Sequence, residues 1–199
     1  MKVKNWISRE PITIPRTAFI QDAMHLMQEH SIRHLPVMED GQLVGLITSS
    51  DLRQFFFPAM VEDIPVHQVM TLNPVTINAN SSIETAARLI HDYKISGLPV
   101  LDKKKLVGII TASDLLSAFI EVMGLLKASS RLDVIVGKKG GLAEVSRIIK
   151  QHHCEIISVA TESHSSRRKV HYFRLEKCDL KPVVEALEEA GHKVVAIMD

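Results

Sequence analysis

Residues 45–51 read Gly-Leu-Ile-Thr-Ser-Ser-Asp, and residues 108–114 read Gly-Ile-Ile-Thr-Ala-Ser-Asp. The offset of 63 positions between Gly45 and Gly108 holds without a gap from Val3/Val66 to Leu52/Leu115. Along it Pro11 matches Pro74 and Thr13 matches Thr76. Leu35-Pro36-Val37 matches Leu98-Pro99-Val100, and Leu43-Val44-Gly45 matches Leu106-Val107-Gly108. A duplicated core explains the matched Leu and Val. It does not by itself require a Thr and an Asp, three residues apart, where each copy passes from strand to helix.

Each copy reads as strand, helix, strand, strand, helix. In the first, Ile12-Thr13-Ile14 is extended, and Phe19, Ile20, Ala23, Met24, Leu26 and Met27 recur at helical spacing. Leu35–Met38 and Leu43–Ile47 predict two strands around the turn Glu39-Asp40-Gly41-Gln42, where Gly supplies a positive φ. Asp51 opens the closing helix and Pro58 ends or bends it. In the second copy Ser81-Ser82-Ile83-Glu84 has capping-box spacing, and Ile83, Ala86, Ala87, Leu89 and Ile90 form the buried stripe. One such unit, a three-stranded sheet with two helices, is small for independent stability, so two in tandem are expected to pack sheet to sheet around one core.

Composition excludes several classes. With 24 basic and 23 acidic residues, no nucleic-acid surface is advertised, and Arg167-Arg168-Lys169 reads as a solvated hairpin or loop. No apolar run approaches the roughly 20 residues of a membrane helix. Met1–Trp6 lacks the apolar core of a signal peptide. Cys154 and Cys178 belong to no CxxC and are expected as two reduced thiols, which places the chain in the cytoplasm. Ten His residues form no metal-ligand spacing: His152-His153 are adjacent, and His25 and His30 are not i, i+4 partners. Glu185, Glu188 and Glu189 read as a solvated helix face. Phe55-Phe56-Phe57 reads as a packing surface for a partner element or a second copy.

The repeated Thr and Asp have two readings. Thr48 or Ser49 with Asp51 would cap a helix. Alternatively, the helix N-terminus, with free N–H groups and positive dipole, suits a phosphate, and the carboxylate suits a ribose diol.

The two copies together resemble a tandem pair of CBS domains, over roughly residues 3 to 120. The resemblance rests on Pro-h-Thr-h at 11–14 and 74–77, h-x-x-Leu-Pro-Val at 32–37 and 95–100, and the two Gly-h-h-Thr-x-x-Asp segments, where h is apolar. It implies two clefts between the repeats for adenosine-containing ligands (AMP, ADP, ATP, S-adenosylmethionine or NAD), with Asp on the ribose, Thr near phosphate and adenine on the first strand of the opposite repeat. One cleft would combine Thr111, Ser113 and Asp114 with Ile12, Thr13, Arg33 and His34. The other would combine Thr48, Ser50 and Asp51 with Val75, Thr76, Ser96 and Gly97. Arg33 makes the Asp114 cleft the better phosphate site, since an Arg–phosphate contact is charge-assisted.

From Arg131 onward the pattern no longer matches the repeat. Leu132–Val136, Glu155–Ala160, Lys169–Leu175 and Lys193–Met198 predict strands; Leu142–Lys150 and Pro182–Ala190 predict helices, the latter stopped by Gly191. The order βαββαβ is ferredoxin-like. This part resembles an ACT domain, which implies pairing into a homodimer and an effector site at the glycine loop, Gly140, Gly141 and Leu142. The loop Gly137-Lys-Lys-Gly140-Gly141 lacks the family's Asp and Pro, so a purely dimerising role competes with effector binding.

The expected organisation is therefore a mixed α+β and α/β chain: repeats at 3–58 and 66–120, a connector at 121–130 with Ser129-Ser130 as the boundary, and the ACT-like unit at 131–199. The order resembles that of bacterial acetoin-utilisation proteins. No Ser/His/Asp or Cys/His motif argues for an enzyme. The leading reading is a regulatory sensor of adenine nucleotides acting on an unidentified protein, with no nucleic acid or membrane partner. The alternative is an oligomerisation scaffold with vestigial clefts.

Overall fold

A computed structural model of the chain describes residues 1–55, 64–137, 140–162 and 169–198. Phe56, Phe57, Pro58, Lys138, Lys139, Arg167 and Arg168 lie outside the described residues. The chain forms two compact units, Met1–Leu116 and Ser117–Asp199.

The first copy supplies β1 (Ser8–Arg9), β2 (Ile14–Pro15), α1 (Ile20–Glu29), β3 (His34–Glu39), β4 (Gln42–Thr48) and α2 (Ser49–Leu52). The second supplies β5 (Thr71–Leu72), β6 (Ile77–Asn78), α3 (Ile83–Tyr93), β7 (Gly97–Asp102), β8 (Lys105–Thr111) and α4 (Ala112–Val122). Duplication extends to the backbone. Positive φ occurs at Glu10, Ser31, Asp40 and Gly41, and again at their counterparts Asn73, Lys94, Lys103 and Lys104. Gly41 therefore eases a turn that Lys104 makes equally in the second copy.

The sheets correct the three-stranded expectation. Their orders are β2-β3-β4-β5 and β1-β8-β7-β6, so each has four strands, the fourth lent by the other repeat. Leu72 pairs with Gly45, and Arg9 with Gly108. A Cβ at Gly45 would run into the Met70 side chain, and one at Gly108 would lie 2.7 Å from the Ser8 carbonyl oxygen. The glycine that opens each repeated heptad thus admits the exchanged segment.

Backbone hydrogen bonds repeat the exchange. Val3 N–H donates to Ser81 O at 2.9 Å and Val66 N–H to Ala18 O at 2.8 Å, while Ile83 N–H donates to Met1 O at 3.1 Å and Ile20 N–H to Ile64 O at 2.9 Å. The α3 cap lies one residue later than the sequence spacing suggests. Ser82, not Ser81, accepts the Thr85 N–H, at 3.1 Å. In the first repeat Ile20, Ala23, Leu35, Val37, Ile47 and Leu52 form a core closed by Val66 and Met70 from the next segment, with Phe55 packed against it.

The second unit contains β9 (Ser129–Ile135), α5 (Gly141–Gln151), β10 (Ile156–Glu162), β11 (Val170–Glu176), α6 (Lys181–Glu189) and β12 (Lys193–Met198). Its antiparallel sheet has the order β10-β11-β9-β12. Leu132, Val134, Phe173 and Leu175 alternate along two strands to meet Val145, Ile149, Val183 and Leu187 from the helices. Ser129 and Ser130 pair with Glu176 and Leu175, so they belong to β9 rather than to a boundary.

Cys154 and Cys178 are not two thiols. They form a disulfide with Cα atoms 5.8 Å apart. Antiparallel β10 and β11 place Ile156 opposite Leu175, and this pairing draws the flanking cysteines together.

Candidate functional site

The repeated Thr and Asp take the same geometry in both copies. Asp51 Oδ2 accepts the Thr48 N–H and the Thr48 hydroxyl, each at 2.7 Å, and the Asp51 N–H donates to Thr48 Oγ1 at 3.4 Å. Asp114 Oδ2 accepts the Thr111 N–H and hydroxyl, again at 2.7 Å, with the reciprocal bond at 3.3 Å. These are reciprocal caps. In each copy one carboxylate oxygen is committed to the turn; at Asp114 the second oxygen is what a ligand diol could use.

The helices behind the two caps differ. α4 runs eleven residues from Ala112, whereas α2 has four.

A cleft of about 310 Å³ opens between the repeats at Thr111. Of the expected residues, Ile12, Arg33, His34 and Thr111 line it. Thr13, Ser113 and Asp114 are not among its lining residues, although Asp114 is bonded to Thr111, which is. Ser8, Arg9, Glu10, Pro11, Ser31, Ile32 and Ile109 also line it, and sequence reasoning placed none of the seven in the site. For residues 8–11 and Ile109 the signal is the strand exchange: β1 sits on β8, so residues 8–12 cross from one sheet to the other and wall the cleft. Arg9 and Arg33 give it two guanidinium groups.

His34 and Ser96, assigned by sequence to different clefts, instead meet. His34 Nε2 lies 2.8 Å from Ser96 Oγ. A Cβ on Gly97 would stand 2.9 Å from that nitrogen, so Gly97 leaves room for the imidazole. The ring's pKa is lowered, first by burial and then by Arg33, against opposing pulls from Asp114 and Asp51. His34 is thus a buried junction that feels both caps. Val75 and Thr76 lie just ahead of β6, half-buried, and Ser50 is exposed in the first turn of α2.

In the second unit, Gly140 and Gly141 both have positive φ, and Leu142 is exposed. The Glu144 side chain lies where a Cβ of Gly140 would be. Gly137 N–H donates to His192 Nδ1 at 3.0 Å, so the ring proton sits on Nε2 and faces Glu144 Oε2 at 3.3 Å. At Gly140 the backbone is thus crowded by its own helix, while Gly141 faces open space. Among the described residues no group of three or more His, Cys, Asp or Glu could hold a metal ion, and no helix is long and apolar enough to cross a membrane.

Comparison with known proteins bears on the first unit. The CBS domain family matches residues 3–57 and 61–121. A CBS domain-containing protein of Dictyostelium discoideum is 39% identical over 134 residues, 61% of this chain and 92% of that protein. The CBS domain pair of protein MJ0100, solved with 5'-methylthioadenosine and S-adenosyl-L-methionine, is 32% identical. It covers 60% of this chain and 95% of its own, with a TM-score of 0.55. CBSX2 in complex with AMP is 27% identical over 61% of this chain and 97% of its own, with a TM-score of 0.55. A Vibrio cholerae protein assigned to acetoin utilization, AcuB, is 32% identical over 64% and 96%, also with a TM-score of 0.55. Two family matches, one over each copy of the duplicated sequence, leave one conclusion: the chain belongs to the CBS domain family.

Proposed function

We propose that the chain is a regulatory sensor that binds an adenosine-containing ligand in the cleft at Thr111. The observation that carries this reading is the cleft itself, 310 Å³ between the repeats, with a capped helix start at one end and Arg33 and Arg9 in its wall. The base packs against Ile12 and Ile109, and Thr111 with the start of α4 receives phosphate. Asp114 offers its second oxygen to the ribose. Thr13 and Ser113 flank this arrangement.

The equivalent contacts at Thr48, Ser50, Asp51, Val75 and Thr76 form the weaker site. There Ser96 and Gly97 stand where the first repeat has Arg33 and His34. The similarity to pairs solved with AMP, S-adenosyl-L-methionine and 5'-methylthioadenosine supports the ligand class. The role is regulatory rather than catalytic, exerted on a protein not yet identified. Ligand can switch it only through a difference in affinity between two packings of the repeats.

The C-terminal unit, with its βαββαβ order, acts as a ferredoxin-like, ACT-type dimerisation domain. Support comes from β12, an edge strand whose Val195, Ile197 and Met198 are exposed. The Glu144 side chain against Gly140 favours dimerisation over effector binding there.

Thermal unfolding with AMP, ADP, ATP, S-adenosylmethionine and NAD tests the sensor reading. A ligand at 100 times its Kd stabilises the native state by about 2.7 kcal/mol and raises the midpoint. No shift with any of the five leaves the scaffold reading.

A further inference from the structure

The C-terminal sheet has a face that the proposed function does not use. Along β9 and β11, core residues Leu132, Val134, Phe173 and Leu175 alternate with Arg131, Asp133, Tyr172 and Arg174, which therefore share the opposite face. Arg131 and Arg174 stand directly opposite one another in the ladder. Like charges at that position repel and weaken a sheet unless something compensates them.

Arg131 is compensated. Its Nε and Nη2 donate to the two Asp133 oxygens at 2.7 Å each, and its guanidinium lies 4.7 Å over the Tyr172 ring. Arg174 is not. Its Nη1 donates to the neutral Ser129 hydroxyl at 2.7 Å, and among the described residues it has no carboxylate partner. Its charge is not directly paired, on a half-buried side chain, although Glu162 and Glu176 lie on the same face.

That surplus charge borders a cavity of about 230 Å³, lined by both arginines, Tyr172, Ser158, Ala160, Met123 and Leu125. Its upper wall is held in place. The Ser158 hydroxyl donates to the Met123 carbonyl at 3.0 Å, and Gly124 approaches Ile157 so closely that a Cβ would stand 2.6 Å from its Cγ2.

We propose that this cavity binds a small aliphatic monocarboxylate, with Arg174 receiving the carboxylate and Met123, Leu125 and Ala160 covering the hydrocarbon. One uncompensated cation matches one negative charge; a phosphate group carries nearer two at neutral pH. An amino acid's ammonium meets no open carboxylate in the lining, because both Asp133 oxygens are bound by Arg131 and Glu162, outside the lining, accepts the Tyr172 hydroxyl. Met adapts its shape to branched chains. The site is separate from the glycine loop and from the adenosine cleft.

Titration of the full chain with sodium 4-methylpentanoate, followed by amide and side-chain NMR, tests this. Saturable shifts are expected at Ser158, Ala160, Tyr172 and Arg174, with millimolar or tighter affinity and no change in residues 1–116. Leucine and inorganic phosphate are expected not to displace it. Arg174→Gln removes the charge-assisted contact and weakens binding by about tenfold or more, leaving any adenosine-ligand response intact. The wild-type titration alone overturns the proposal if no saturable shift occurs, or if the shifts fall elsewhere. Equal binding of leucine or phosphate at these residues overturns the ligand class. Unchanged affinity in Arg174→Gln overturns the role of the arginine.

Discussion

His34 and Ser96 meet across the boundary of the two repeats, with imidazole Nε2 2.8 Å from the hydroxyl oxygen. Gly97, the duplicated counterpart of His34, lies against the same ring. The sequence difference between Arg33-His34 and Ser96-Gly97 therefore does more than distinguish two clefts. The small pair makes space for the large one, and identical repeats could not fit this junction without repacking.

Gly97→Ala should press a methyl onto a buried, hydrogen-bonded ring. Overpacking of this kind costs about 1–3 kcal/mol. The thermal midpoint of the first unit should fall, and His34→Ala in the same chain should recover part of the loss. Additive effects of the two substitutions would show that the contact is not felt.

Stability should depend on pH through His34. Burial and Arg33 lower its pKa in the folded state, so the unfolded chain binds the proton more readily near its ordinary value of about 6.5. The His34 contribution is complete above that value and is lost as pH falls through the lowered folded value. His171, lowered by burial and Lys169, acts in the same direction in the other unit. Chemical unfolding as a function of pH should show stability declining on acidification below the ordinary value. His34→Gln should flatten that decline for the first unit; an unchanged pH profile in the variant would contradict the assignment.

Much of this fold was legible because duplication reports it twice. The gapless offset located both strand-to-helix junctions, and the caps at Thr48/Asp51 and Thr111/Asp114 followed from residue type and spacing. What stayed hidden involved segments with no pattern of their own. β1 and β5 are two residues each, too short for periodicity, yet their exchange places Arg9 and Glu10 in the cleft wall. The Ser82 cap was misplaced by one residue: two adjacent serines precede α3, and local spacing does not decide which hydroxyl accepts the Thr85 N–H.

The disulfide was hidden for a similar reason. Cys154 and Cys178 are 24 residues apart, and only the pairing of β10 with β11 brings them together. Peptide mapping without reductant should yield a cross-linked pair. Reduction should destabilise the C-terminal unit by about 3 kcal/mol, the chain-entropy value for a loop of this order, and spare the first unit. Free thiols in protein purified under oxidising conditions would contradict the pairing.

If β12 is the dimer edge, charge placed on it should separate the subunits. Ile197→Lys, at a half-exposed position of that strand, should convert dimer to monomer in sedimentation velocity. A variant that sediments as the wild type would remove β12 from the interface.

The central claim is that an adenosine-containing ligand occupies the Thr111 cleft in preference to its counterpart. Calorimetric titration of the best stabilising ligand into the wild type, Asp114→Ala and Asp51→Ala compares the two directly. Each substitution removes one equivalent cap, at a cost of about 1 kcal/mol, so both proteins should remain folded. Asp114→Ala should lose affinity by about tenfold or more, while Asp51→Ala should retain it. Wild-type affinity in Asp114→Ala together with lost binding in Asp51→Ala would contradict the account.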